Sequence, residues 1–92
     1  MTAYVDPAVF KKSETGRKSY CHMVADTLSE LHLFAAMIGI KPHFFHRHKT
    51  MPHYDLTAEQ RQVALNFGAN PIDSRRLVVI AKAAKALHLN GS

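Results

Sequence analysis

The stretch Ala25–Ile40, ADTLSELHLFAAMIGI, carries a helix start, an apolar face and a stop. Thr27 and Glu30 stand at capping-box spacing, where the hydroxyl takes an orphan backbone N–H and the carboxylate reaches back to the cap. A helix therefore begins here. Leu28, Leu31, Phe34, Ala35 and Ile38 recur at three- and four-residue spacing and make one apolar face, and Gly39 supplies the left-handed residue that ends it. The rest of the chain has to pack on that face.

On the N-terminal side, Tyr20–Val24 has the β-branched and aromatic bias of a strand, with Tyr20, His22 and Val24 on one side and Cys21 and Met23 on the other. Thr2–Val5 reads as an earlier strand, stopped by Asp6-Pro7. Between them, Phe10–Ser19 is polar, contains Gly16 and carries Lys11, Lys12, Arg17 and Lys18, as expected of a loop or hairpin arm. On the C-terminal side, Ile40–Pro52 has no helical periodicity, and Phe44-Phe45 is expected to form a short strand or an anchor pinning a loop. His53-Tyr54-Asp55-Leu56 leads into a second helix, because Thr57 and Gln60 repeat the capping-box spacing. Leu56, Val63, Ala64 and Phe67 are its expected apolar side, and Gly68 its stop. Ala69–Ile72 is a linker or short strand. Asp73 or Ser74 caps a third helix running to about Leu89, with Asn90-Gly91 as its stop. On it Leu77, Ile80, Ala81, Ala84 and Leu87 form the expected buried stripe, opposite Arg75, Val78, Lys82 and Lys85.

The fold expected is α+β, a small single domain with two or three short strands packed against three helices. A chain of 92 residues supports one modest core. One cysteine, Cys21, forms no internal disulfide, and no apolar run approaches the roughly 18–20 residues of a bilayer span. A cytoplasmic protein, not exported by a standard route, is the expectation. Twelve Lys+Arg against seven Asp+Glu give a formal charge of +5, and the pI is near 9.7. That balance favours an anionic partner: nucleic acid, an acidic protein surface, or a ribonucleoprotein.

Three basic clusters are candidates for that contact: Lys11, Lys12, Arg17 and Lys18 on the first arm, Arg47, His48 and Lys49 on the long loop, and Arg75, Arg76, Lys82 and Lys85 on the third helix. Arg75 and Arg76 occupy a first helical turn, where the dipole disfavours cations. Two other constellations bear on chemistry. His43, His46, His48, His53 and Asp55 offer imidazole and carboxylate ligands of the zinc or nickel type, but no pair has helical i, i+4 spacing and no cysteine pair assists. A solvent-exposed loop is the preferred reading, with no metal or cofactor expected. The second set, Asp6, His22, Asp26, His53 and Asp55, is dispersed around strand ends and helix starts. If those ends converge, it could form an acid–base or metal site for phosphodiester chemistry. Each member also has a structural explanation: Asp26 as a helix cap, Asp55 as a turn residue. His32 is expected to be half-buried and hydrogen-bonded to backbone. No Gly-rich phosphate loop, Gly-x-Ser-x-Gly turn or Cys-x-x-Cys pair is present, which argues against nucleotide hydrolysis and serine-hydrolase chemistry.

The residues YVD at Tyr4–Asp6, His22 followed by Ala25-Asp26-Thr27, ELHLFA at Glu30–Ala35, Ile38-Gly39, HYDLT at His53–Thr57 and Gly68-Ala69 resemble a family of short phage and bacterial proteins known only as a domain of unknown function. That resemblance implies a mobile-element setting. In size, charge and setting the chain is similar to phage-encoded inhibitors of bacterial defence complexes, including anti-CRISPR proteins. The function this implies is steric and electrostatic block of a nucleic-acid-handling complex, by binding without turnover. The alternatives are a small metal-dependent or acid–base phosphodiesterase-type enzyme and a regulator binding DNA or RNA directly.

Overall fold

In the computed structural model the backbone is described for residues 2–7, 9–13 and 16–89, and the side chains for residues 2–7 and 20–87. The domain is α+β. Strand β3, Gly16–Ala25, is its spine. Along one edge of β3 the chain pairs antiparallel twice: β1, Ala3–Val5, lies against its C-terminal end and β2, Val9–Ser13, against its N-terminal end. The pairing is interrupted around Asp6-Pro7, where proline has no N–H to donate. Along the other edge run β5, His53–Thr57, and then β4, Phe45–His46, both antiparallel. A two-residue strand β6, Asn70–Pro71, adds parallel to β1, giving the order β4-β5-β3-β1-β6 with β2 on β3.

Helix α1, Leu28–Met37, starts on the Thr27 hydroxyl, which accepts from the Glu30 N–H. It stops at Gly39, whose φ of +83° favours a residue without Cβ, and the Ile40 N–H closes the turn onto the Ala35 carbonyl at 2.8 Å. The Glu30 carboxylate does not reach the Thr27 amide; it accepts the N–H of Thr2 at 3.0 Å and so ties the start of the sheet to the helix. Helix α2, Ala58–Asn66, has the full reciprocal capping box between Thr57 and Gln60. Helix α3, Ser74–Leu89, is capped by Asp73, whose carboxylate accepts the Arg76 N–H at 2.7 Å.

Strand alternation divides the sheet between two cores. Ala3, Val5, Cys21, Met23, Ala25, Tyr54 and Leu56 pack with Leu31, Phe34 and Ala35 of α1 and Ala64 of α2. Val24 packs with Leu77 and Ala81 of α3, with Tyr4, Met51 and Ile72 at the margin. Three expectations are corrected. His53–Leu56 is strand, since Tyr54 and Leu56 alternate into the first core while His53 and Asp55 face the other side. On α2, Val63 and Phe67 are exposed, and Leu65 packs with Ala64 in their place. On α3, Leu87 is exposed at 47 % while Val78 is half-buried, so the buried stripe ends at Ala84. The expected Asn90-Gly91 stop lies outside the described residues.

Candidate functional site

The register of β3, β5 and β4 concentrates polar side chains on one face. His22 stands opposite Asp55, and His46 opposite His53. Because His53 and Asp55 are two apart on one strand, both point to that face. The interruption at Asp6-Pro7 brings the Asp6 carboxylate to the same place.

Asp6 is 1 % exposed. One carboxylate oxygen accepts the His22 backbone N–H at 2.7 Å; the other accepts His22 Nδ1–H at 3.0 Å and the Ser74 hydroxyl at 2.9 Å. Burial alone would raise its pKa, but the donors from His22 and Ser74 outweigh it and hold the carboxyl below the ordinary range. Asp6 is therefore ionised at neutral pH, and the hydrogen between it and His22 sits on Nδ1. Arg61 of α2 donates from Nε to the Asp6 carbonyl at 2.9 Å, and Ser74 opens α3, so β1, β3, α2 and α3 all meet at this residue.

His53 is fixed by the same logic. Its Nδ1 lies 2.7 Å from the Met51 carbonyl, which can only accept, so Nδ1 carries the hydrogen. Burial pushes its pKa down and keeps the ring neutral at pH 7. In His53, and in the neutral form of His22, the lone pair is consequently on Nε2. His53 Nε2 is 3.3 Å and His22 Nε2 4.0 Å from one oxygen, Oδ1, of Asp55. His46 Nε2 meets the other oxygen of Asp55 at 3.0 Å and its ring stacks on His53 with centroids 5.2 Å apart.

Two lone-pair nitrogens and an anionic oxygen converge, and their ligand atoms lie within 4.8 Å of one another. Ligands held 2.0–2.2 Å from a tetrahedral zinc-type ion stand roughly 3.3–3.5 Å apart. The His53–Asp55 separation of 3.3 Å already matches, and His22, 4.0 Å from the same oxygen, has to move inward to supply the third ligand. Each histidine has its outer nitrogen on an oxygen acceptor, the arrangement that orients metal-binding imidazoles. Three protein ligands leave a coordination position for water or substrate, as in catalytic sites.

A family model described as "Protein of unknown function (DUF4031)" matches residues 3–84. The chain belongs to the DUF4031 family. The DUF4031 match spans the whole constellation from Asp6 to Ser74. No curated protein and no solved structure matches the chain.

Of the dispersed set, Asp6, His22, His53 and Asp55 meet. Asp26 does not: it lies four residues beyond His22, about 13 Å along an extended chain, and accepts the Tyr4 hydroxyl at 3.2 Å. His46 joins the cluster, so the two constellations read from the sequence merge into one. His43 lies tilted against Phe44, with ring centroids 4.1 Å apart. His32, expected to be half-buried, is exposed and bonds the Tyr54 hydroxyl at 2.7 Å through Nδ1. The sequence signal for the cluster is the i, i+2 pair His53-x-Asp55, which aligns two side chains on one face of a strand. Ser74 carried no chemical signal beyond its place at a helix start.

Among the basic candidates, Arg47, His48 and Lys85 line one cleft, and Lys49, Lys82 and Lys85 an adjoining hollow. The loop and third-helix clusters thus join into a single surface. Arg75 and Arg76 are exposed on the first turn of α3 and line neither. Lys11 pairs with Lys18 and Lys12 with Arg17 in the β2–β3 ladder, but the side chains of that arm lie outside the described residues.

Proposed function

We propose that this protein is a metal-dependent hydrolytic enzyme of the phosphodiesterase type, with a zinc-class divalent ion held by Nε2 of His22, Nε2 of His53 and Asp55. One observation carries the reading. The Nδ1 hydrogens of both histidines are committed to Asp6 and to the Met51 carbonyl, so Nε2 of His53, and of His22 in its neutral form, turns a lone pair toward the Asp55 carboxylate. Acceptor against acceptor is unfavourable until a cation lies between them.

Such an ion polarises a phosphoryl oxygen and lowers the pKa of bound water toward neutrality. In the step proposed, the water oxygen forms a new bond to phosphorus and the ester P–O bond breaks. One water is consumed for each ester cleaved. His46, exposed and with Nε2 on Asp55 Oδ2 at 3.0 Å, is the group proposed to take the water's proton on Nδ1 and return it to the leaving oxygen. Asp6 and Ser74 orient His22 without touching the reacting atoms.

The test is metal analysis of tag-free protein, a cobalt(II) absorption titration, and hydrolysis of bis(p-nitrophenyl) phosphate with and without chelator. Stoichiometric uptake, lost in His53→Asn, with chelator-sensitive hydrolysis is expected. Failure to take up zinc or cobalt would sink the proposal.

A second reading is anti-CRISPR-like block of a bacterial nucleic-acid-handling complex, without turnover. The convergence of Arg47, His48, Lys49, Lys82 and Lys85 on one face favours it. It predicts recovery of a nuclease-resistant ribonucleoprotein with the tagged protein, and no dependence of that recovery on metal.

A further inference from the structure

Beside the histidine cluster, a cleft of about 260 Å³ is lined by His32, Phe45, Arg47, His48 and Lys85, among others. Lys85 also borders a second hollow of about 340 Å³ with Lys49, Thr50 and Lys82. The shared lysine makes them one trough between α3 and the loop after β4. Among the described residues, no carboxylate lines either part. His48 places the trough next to the site, its ring centroid 6.4 Å from that of His53. The cleft lining includes aromatic rings: Phe45 is half-buried against the first core, with His32 edge-on to it at 4.6 Å.

We infer that this trough binds a single-stranded nucleic acid, with one base against Phe45 and His32 and successive phosphates on Arg47, Lys85, Lys82 and Lys49. The inference names the substrate class of the metal-centred reading and rests on it. Cations that track a backbone, combined with an aromatic platform, are the recognition chemistry of single strands. A duplex is read by a helix or ribbon that projects into its groove; here Arg47 and Lys85 line a cleft, with Lys49 and Lys82 on the shallow surface that continues it. The cleft lies just below the range of small-molecule pockets, about 300 Å³ upward. An acidic protein segment would match the charge but has no use for the aromatic rings.

The test is fluorescence anisotropy with a fluorescein-labelled oligonucleotide of about 12 nucleotides, within the span of single-strand binders. Full-length protein is measured in chelator, so that binding is read without cleavage or metal. Single strands are expected to bind, with a log–log salt slope near −2.8 for four phosphate contacts at about −0.7 each. Lys85→Glu and Arg47→Glu each weaken binding about tenfold or more, and Phe45→Leu, which keeps the apolar packing, weakens it about tenfold through lost stacking. Arg75→Glu, an equal change of charge outside the trough, changes binding less than about twofold. Equal or tighter binding to duplex, equal weakening by Arg75→Glu, or no binding to any oligonucleotide overturns the inference. Metal uptake is titrated separately in the same variants. Strand binding without metal uptake would sink only the metal-centred reading, and metal uptake without strand binding only this one.

Discussion

A carboxylate sealed from solvent is tolerated only when its oxygens are supplied with donors, and Asp6 has three, from the His22 backbone, the His22 ring and Ser74. Asp6→Asn keeps the shape and removes the charge. Its amide offers an N–H where the Nδ1–H of His22 points, which reverses the tautomer. Metal affinity is expected to fall about 10–100-fold, the usual effect of losing such an orienting partner. Calorimetric titration with zinc checks this, and an unchanged affinity would show that Asp6 does not orient His22. Cys21, one residue away, gives a second prediction. Burial first, then the charges of Asp6 and Asp55, push its thiol up to about 12. The unfolded chain releases that proton near pH 8.5, so above this pH the native state holds more protons. Stability is then fully present below about pH 8.5 and declines as pH rises toward 12. Denaturant midpoints across that range should fall in the wild type and fall less in Cys21→Ala. In the native state the thiol should also resist a thiol reagent at pH 8 until the protein is unfolded.

Helix boundaries follow from local chemistry, and for that reason the sequence declared them. Thr27, Thr57 and Asp73 each accept the backbone N–H three residues on, and Gly39 and Gly68 each take a positive φ. Thr57→Ala removes the hydroxyl half of the α2 capping box and should cost about 1 kcal/mol, read by urea denaturation. Gly68→Ala meets no atom within 4 Å but must hold a φ of +105°. Strain alone should lower stability by about 1–2 kcal/mol; a neutral effect would mean the turn relaxes. Strand β5 was hidden because its alternation runs over only five residues and merges into the cap of α2. The exposure of Val63, Phe67 and Leu87 was equally hidden. Their spacing marks a face, but how far that face is covered depends on where a partner element ends, which is a tertiary fact.

At the scale of the whole molecule, the α+β class and the three helices could be read from local pattern, whereas Asp6, His22, His53 and Asp55 could be named as a candidate set but their convergence could not be read. The members of the site come from β3, β4, β5 and the break after β1, with Ser74 behind them, and only strand register assembles them. A ligand bound solely by the folded state stabilises it by mass action, by about 2.7 kcal/mol at a hundredfold excess over Kd. For a domain of this size that raises Tm on the order of 10 °C. Zinc should therefore shift the melting transition upward and a chelator should reverse the shift, whereas His53→Asn should melt alike in both. The amide of His22 carries one further consequence. Its N–H is bound to a carboxylate that is itself gripped by α3 and lies beside the contact with α2. That hydrogen can exchange with deuterium only when sheet and helices come apart together. Its exchange should run at the rate of the slowest, global opening, so that the chemistry of the pocket and the cooperativity of the fold share one hydrogen bond.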